Sequence, residues 1–178
     1  ITTGYYKKPE ATAAAIDRDG WFHTGDAGYL KDSHLYLTER IKDLFKTSNG
    51  KYISPQALET KLAIDRYIDQ IAVIADERKF VSALIVPVYG FVKDYAKEKG
   101  IAYSNMDELL QHPKIQALFR ARIDTLQQQF AHYEQVKRFT LLTEPFSMER
   151  GELTNTLKLK RSVVAKNYKG LIDKMYEE

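Results

Sequence analysis

Two apolar, β-branched runs, 68–75 and 81–88, stand on either side of the polar stretch Asp76-Glu77-Arg78-Lys79. They predict a pair of adjacent core strands joined by a short connection. The rest of the chain has to bury them, and it carries the means. Pro113 opens a long helix with Ile115, Leu118, Phe119, Ile123, Leu126 and Phe130 on one face. Val164, Tyr168, Leu171, Ile172 and Met175 stripe a C-terminal helix at helical spacing. Both stripes are read as core and carry no chemistry. At 178 residues the chain can hold one sizeable core and a smaller appendage.

The remaining elements follow from local signals. Ser54-Pro55 marks a helix start, with a side-chain oxygen to cap and Pro in the first helical position; that helix runs through Leu58 and Leu62. Ile41–Phe45 and Tyr52-Ile53 flank Thr47-Ser48-Asn49-Gly50, and Asn-Gly supplies the positive φ of a tight hairpin turn. A helix over 91–99 stops at Gly100. Asn105 with Glu108 forms a capping box, and 136–143 is a further strand. Ahead of all this, Pro9–Ile16 predicts a short helix, and Tyr29-Leu30 with Leu35-Tyr36-Leu37 a β-hairpin around a polar turn. The first part, to about residue 38, has too few apolar residues for an independent domain and is expected to be the tail of a larger one. Because the chain opens on Ile1 within Thr3-Gly4-Tyr5-Tyr6-Lys7-Lys8-Pro9-Glu10, it is expected to be a piece of a longer protein.

Composition excludes several function classes. There is no cysteine, which removes disulfide frameworks and thiolate metal sites, and His23, His34, His112 and His132 are scattered without a pair at ligand spacing, so no metal ligands are expected. A net charge of +3, from 27 basic and 24 acidic residues, is too mild to argue for nucleic acid. The longest apolar stretches are far too short to span a bilayer.

Four blocks could carry chemistry. Thr24-Gly25-Asp26 puts a carboxylate on a glycine turn, where it can accept hydrogen bonds from two neighbouring hydroxyls such as those of a ribose; a bare turn is the plainer account. Glu39-Arg40-Ile41-Lys42-Asp43 brings a guanidinium that can fork onto phosphate, or simply a solvated strand edge. Lys46–Pro55 is a hairpin and helix start whose glycine lets a ligand approach the backbone. The lysine-rich run 151–161 is either a solvated face or a loop offering a cation.

Taken in order, Gly4-Tyr5-Tyr6, Pro9-Glu10-Ala11-Thr12, Asp19-Gly20-Trp21-Phe22-His23-Thr24-Gly25-Asp26, Glu39–Asp43, Lys46–Pro55 with Leu58-Glu59, His132–Phe139 and Gly151–Arg161 make the chain resemble the AMP-forming acyl-CoA synthetases. This superfamily comprises acyl- and aryl-CoA ligases, luciferases and peptide-synthetase adenylation domains; the long-chain fatty acid–CoA ligases are the branch resembled. The resemblance implies an α+β fold: a small C-terminal lid domain (40–178) with a central, mostly antiparallel sheet flanked by helices, preceded by a β-hairpin remnant (1–39) of a large N-terminal domain. It implies that Asp26 holds the ribose hydroxyls of ATP and that Arg40 contacts the nucleotide. Lys42 is then the hinge about which the lid turns, and the loop with Ser48, Asn49 and Gly50 lines the tunnel for coenzyme A. Lys158 is the cation that bridges carboxylate and α-phosphate during adenylation. Lys158 rather than Lys160 aligns, because an arginine, Arg161, follows three residues later; Leu157 stands where the common pattern has glycine, a variant of the long-chain branch.

On this reading the chain is the C-terminal fragment of a ligase that makes acyl-CoA from fatty acid, ATP and coenzyme A, and is inactive alone. Mg²⁺, the phosphate loop and the acyl pocket belong to the N-terminal domain, its partner. The expected setting is cytoplasmic, with room for peripheral membrane contact by the parent. Two other classes remain open: the lid of an aryl-CoA or carrier-protein ligase, and a non-catalytic module that binds an anionic partner unaided.

Overall fold

A computed structural model describes residues 2–177, apart from the side chains of Thr38 and Glu39, so only the backbone of the Glu39 in the Glu39-Arg40 block is described. The chain forms two compact units, one ending at Leu44 and the other starting at Phe45.

In the first unit, helix α1 (Pro9–Ala15) starts on its proline. A hairpin pairs β1 (Asp26–Lys31) with β2 (His34–Arg40). Asp32 and Ser33 both adopt positive φ, +49° and +61°, the conformation that matches a two-residue turn to strand twist. A bulge between Ala27 and Gly28 shifts the register, after which Asp26 stands opposite Arg40. The sequence predicts strand from Ile41 onwards, but pairing ends at that position: the Ile41 N–H closes on the Gly25 carbonyl at 2.8 Å, and Ile41–Asp43 winds into a 3₁₀ turn.

The second unit is built on the predicted strand pair. β5 (Ile68–Ile74) and β6 (Val81–Pro87) run antiparallel, and β7 (Val136–Leu141) joins the other side of β6 in parallel, giving the order β5-β6-β7. Every residue of β6 is buried, as a central strand covered on both faces requires. Val81, Ala83 and Ile85 face one core with α2 (Pro55–Leu62), α3 (Tyr89–Glu98), α4 (Met106–Gln111) and α5 (Pro113–Leu126). Leu84 and Val86 face a second core with α6 (Arg161–Asn167) and α7 (Lys169–Tyr176). Ser82, the buried polar member of that face, is satisfied by the Tyr176 hydroxyl at 2.9 Å. The architecture is α+β, with helices on both faces of a mixed sheet.

Two helices stop earlier than their stripes suggest. α5 ends at Leu126 because Gln127, 3% exposed, turns its amide to β7 and accepts the Val136 N–H at 2.8 Å; Phe130 reaches the core from the following turn. The C-terminal stripe is split at Tyr168. Asn167 donates to Glu152 and the Tyr168 ring packs edge-on against Phe146, so tertiary contacts override a continuous periodicity.

Candidate functional site

The expected nucleotide contacts lie in the first unit. Gly25 at φ +76° makes the bend that starts β1, and nothing lies within 4 Å of where a Cβ would stand. The Asp26 N–H donates to Thr24 Oγ1 at 3.1 Å. Strand register sets Arg40 against Asp26, and Nε of Arg40 meets the Asp26 carboxylate at 2.9 Å. The two residues that sequence reasoning assigned to one ligand are therefore joined here as an ion pair, in which the guanidinium occupies the carboxylate as a pair of sugar hydroxyls could. The Arg40 side chain is 64% exposed, so the pair adds little to stability and is open to exchange for a ligand. Lys42 is exposed in the 3₁₀ turn, two residues before the first unit ends.

The loop with Ser48, Asn49 and Gly50 belongs to the second unit, between β3 (Phe45–Lys46) and β4 (Tyr52–Ile53). Buried Thr47 closes it: its N–H donates to the Lys51 carbonyl at 2.9 Å and its Oγ1 accepts the Lys51 N–H at 3.1 Å. The Gly50 N–H returns to the Thr47 carbonyl at 2.8 Å, with Gly50 at φ +74°. The loop is docked on the β5–β6 connection, where Ser48 N–H donates to the Arg78 carbonyl at 3.0 Å and Glu77 N–H to the Lys46 carbonyl at 2.9 Å. Ser48, Asn49 and Gly50 are all exposed, and a Cβ at Gly50 would meet no atom within 4 Å. The glycine serves the turn and leaves open backbone for a ligand.

Lys158 sits on a second closed loop. Glu152 and Lys160 form its base, the Lys160 N–H donating to the Glu152 carbonyl at 2.7 Å. Leu153 bridges Leu159 above them. Thr154 N–H then donates to the Lys158 carbonyl at 2.8 Å, and Lys158 N–H to Thr154 Oγ1 at 3.0 Å. Lys158 itself is exposed. Leu157 turns the tip with φ +59°, the left-handed region that favours glycine.

Three residues that the sequence did not single out by role hold these loops. Arg161 forks onto Glu59 of α2, with nitrogen–oxygen distances of 2.5 and 2.6 Å, and its guanidinium lies 5.5 Å from the Phe45 ring at the start of β3. Glu59 also accepts the Val73 N–H at 2.8 Å. One arginine thus ties the end of the lysine loop to α2 and to the strand that leads into the Ser48–Gly50 loop. Glu152 is the third, with no exposed surface. Burial alone would raise the pKa of its carboxyl, but hydrogen bonds from Arg150, Asn167 and the Ser147 N–H outweigh this and hold it below the ordinary glutamate value. No periodicity marks a buried glutamate in a polar run, so only the folded contacts reveal it. Among the described residues no group of three or more His, Cys, Asp or Glu could hold a metal ion, and no helix is long and apolar enough to cross a membrane.

Known proteins resemble the chain over nearly its whole length. Long chain acyl-CoA synthetase 7, peroxisomal, of Arabidopsis thaliana is 36% identical over 182 residues, covering 100% of this chain and 26% of the relative. Long-chain-fatty-acid–CoA ligase 5 of Rattus norvegicus is 36% identical over 184 residues, covering 99% of this chain and 26% of the relative. Long-chain-fatty-acid–CoA ligase FadD15 of Mycobacterium tuberculosis is 32% identical over 180 residues, covering 100% of this chain and 30% of the relative. The chain therefore spans only about a quarter to a third of the length of these relatives. Among solved structures, the adenylation domain of the carboxylate reductase of Mycobacterium chelonae superposes with a TM-score of 0.76 at 27% identity, over 99% of this chain and 26% of that one. The corresponding domain from Segniliparus rugosus, solved in complex with AMP and a co-purified carboxylic acid, gives 0.76 at 25% identity, over 99% of this chain and 26% of that one. Residues 42–178 match the family model described as the AMP-binding enzyme C-terminal domain, and to that family the chain belongs.

Proposed function

We propose that this chain is the C-terminal part of an ATP-dependent long-chain fatty acid–CoA ligase, which forms an acyl-adenylate and then an acyl-CoA thioester. The single observation that carries the reading is the placement of Lys158, an exposed ammonium on a loop whose two arms are bonded to each other and to a buried base. Relatives named as long-chain acyl-CoA synthetases and long-chain fatty acid–CoA ligases support the reaction class.

In the first step a fatty-acid carboxylate oxygen attacks the α-phosphorus of ATP, and the bond to pyrophosphate breaks. Two anions must meet, and Lys158 between them offsets their repulsion as charge redistributes in the transition state. Asp26 exchanges Arg40 for the ribose hydroxyls, and the released guanidinium can fork onto a phosphate. In the second step the thiol of coenzyme A attacks the acyl carbonyl and AMP departs. This step needs an open approach rather than a cation, and the exposed Ser48-Asn49-Gly50 backbone is assigned to it. Lys42 is assigned as the pivot that presents first one loop and then the other to a partner N-terminal domain. Mg²⁺ is assigned mainly to that domain, as the resemblance to the AMP-forming acyl-CoA synthetases implies. The fragment alone is inactive on this reading.

The test is Lys158→Ala in the full-length ligase. Fatty-acid-dependent exchange between ATP and pyrophosphate should fall by about 10²-fold or more, the scale of losing one electrostatic stabiliser. Thioester formation from preformed acyl-adenylate should stay near the parent rate. Equal loss in both half-reactions would refute the assignment.

A further inference from the structure

Glu152 carries a charge that the reaction above does not use. It lies six residues before Lys158, fully buried, beside a core of Phe146, Leu153, Val164 and Tyr168 that an apolar side chain could join. Its carboxylate is surrounded by donors instead. Ser147 N–H reaches Oε2 at 3.0 Å, Arg150 Nε lies 3.1 Å from both oxygens, and Asn167 Nδ2 lies 3.1 Å from Oε1. An Arg150 terminal nitrogen adds a 3.0 Å contact to Oε2. The main chain of the same residue takes part as well: its N–H donates to the Ser147 carbonyl at 3.0 Å, and its carbonyl accepts the Lys160 N–H at 2.7 Å.

Replacing a buried ion pair by apolar residues of similar volume is often neutral or stabilising, so stability is a weak reason for this one. What the network does achieve is geometric. It ties two pieces of chain, the 147–150 turn and the end of α6, to one carboxylate, while the main-chain carbonyl of the same residue holds the far arm of the lysine loop. Every link in the short path from this anchor to Lys158 is bonded: Glu152 to Lys160, Leu153 to Leu159, Thr154 to Lys158. A displacement of Glu152 therefore moves the base from which the Lys158 ammonium is presented.

We propose that Glu152 is a positioning residue for Lys158: it fixes the base of the loop so that the ammonium reaches the adenylation transition state in register. This rests on the assignment of Lys158 made above. Glu152→Gln keeps size and one acceptor but turns an NH₂ toward donors, which breaks the anchor without emptying the site. A displacement of about 1 Å is enough to cost on the order of 10²-fold in rate.

The experiment uses the full-length ligase with both half-reactions measured separately. Glu152→Gln should lower the adenylation kcat by about 10- to 100-fold, with the KM values for ATP and fatty acid little changed and thioester formation from preformed acyl-adenylate preserved. In a Lys158→Ala background the same substitution should cost nothing further, because the group it positions is gone. Asn167→Leu removes one donor from the carboxylate and should show the same split in milder form, which keeps the test decisive if Glu152→Gln fails to fold. Loss of both half-reactions together in Asn167→Leu, or full additivity with Lys158→Ala, would reduce Glu152 to a structural residue and overturn the proposal. If Lys158→Ala alone leaves adenylation intact, the failure belongs to the assignment of Lys158. If Lys158→Ala abolishes adenylation and Glu152→Gln has the parent kcat, the positioning role alone fails.

Discussion

Substitutions at position 157 measure how much strain the lysine loop stores. Leu157 holds φ at +59°, where a residue with a Cβ costs roughly 1–2 kcal/mol relative to ordinary helical backbone. Glycine is free of that cost but gives up about 0.5–1 kcal/mol of extra chain entropy on folding. The leucine side chain is 67% exposed, resting over a shallow hollow of about 330 Å³ lined in part by Ala63, Ile71, Phe146, Leu153 and Leu159. About a third of a leucine is thus buried, worth roughly 0.5–1 kcal/mol. Leu157→Gly should therefore change stability by no more than about 1 kcal/mol in either direction, since relief and loss nearly cancel. Both variants lose the packing, and alanine keeps the strain while glycine bears the extra entropy, so alanine should fall below the glycine variant by the difference, roughly 0.8 kcal/mol at mid-range. In an exposed helix the order of the two would be reversed. Equilibrium urea unfolding of this chain, followed by circular dichroism because Trp21 belongs to the other unit, resolves the difference as a midpoint shift of about 0.3–0.5 M. An alanine variant as stable as the glycine variant would refute the strain argument.

The other expected outcomes concern the anchors. Hydrogen bonds from Arg150, Asn167 and the Ser147 N–H hold the Glu152 carboxyl below the ordinary glutamate value despite its burial. Its contribution is therefore complete above the unfolded pKa and disappears as pH falls through the depressed folded value. Urea midpoints measured below about pH 4.5 should drop more steeply for the parent chain than for Glu152→Gln; parallel profiles would count against the anchor. Arg161→Ala leaves Glu59, whose side chain is 15% exposed, with the Val73 N–H as its one remaining partner among the described residues, and should cost about 1.5–3 kcal/mol in the same assay; a change near zero would mean that the fork onto Glu59 contributes nothing.

Much of the architecture was legible because its signals are local. The pair β5 and β6, the Ser54 cap that accepts the Ala57 N–H at 3.2 Å, the stop at Gly100 with φ +61° and the turn at Asn49-Gly50 each depend on a few neighbouring residues and their steric limits. The Asp26 and Arg40 side chains, proposed from their chemistry for a common ligand, came together because hairpin register follows from turn length and one bulge. Composition had no means of singling out Lys42 or Lys158, which entered through family resemblance.

What required the folded chain is whatever couples residues distant in sequence. β7 could be read as a strand, but its parallel seat beside β6 depends on Gln127 reaching Val136 and on the helices that carry the chain between them. The helix break at Tyr168 answers to Phe146 and Glu152, not to its own turn residues. The left-handed Leu157 and the buried Glu152 run against local preference outright, and each is held there by surrounding contacts. Local propensities of a fraction of a kcal/mol set the elements wherever nothing opposed them; where hydrogen bonding and burial of larger size came from elsewhere in the chain, the tertiary structure decided.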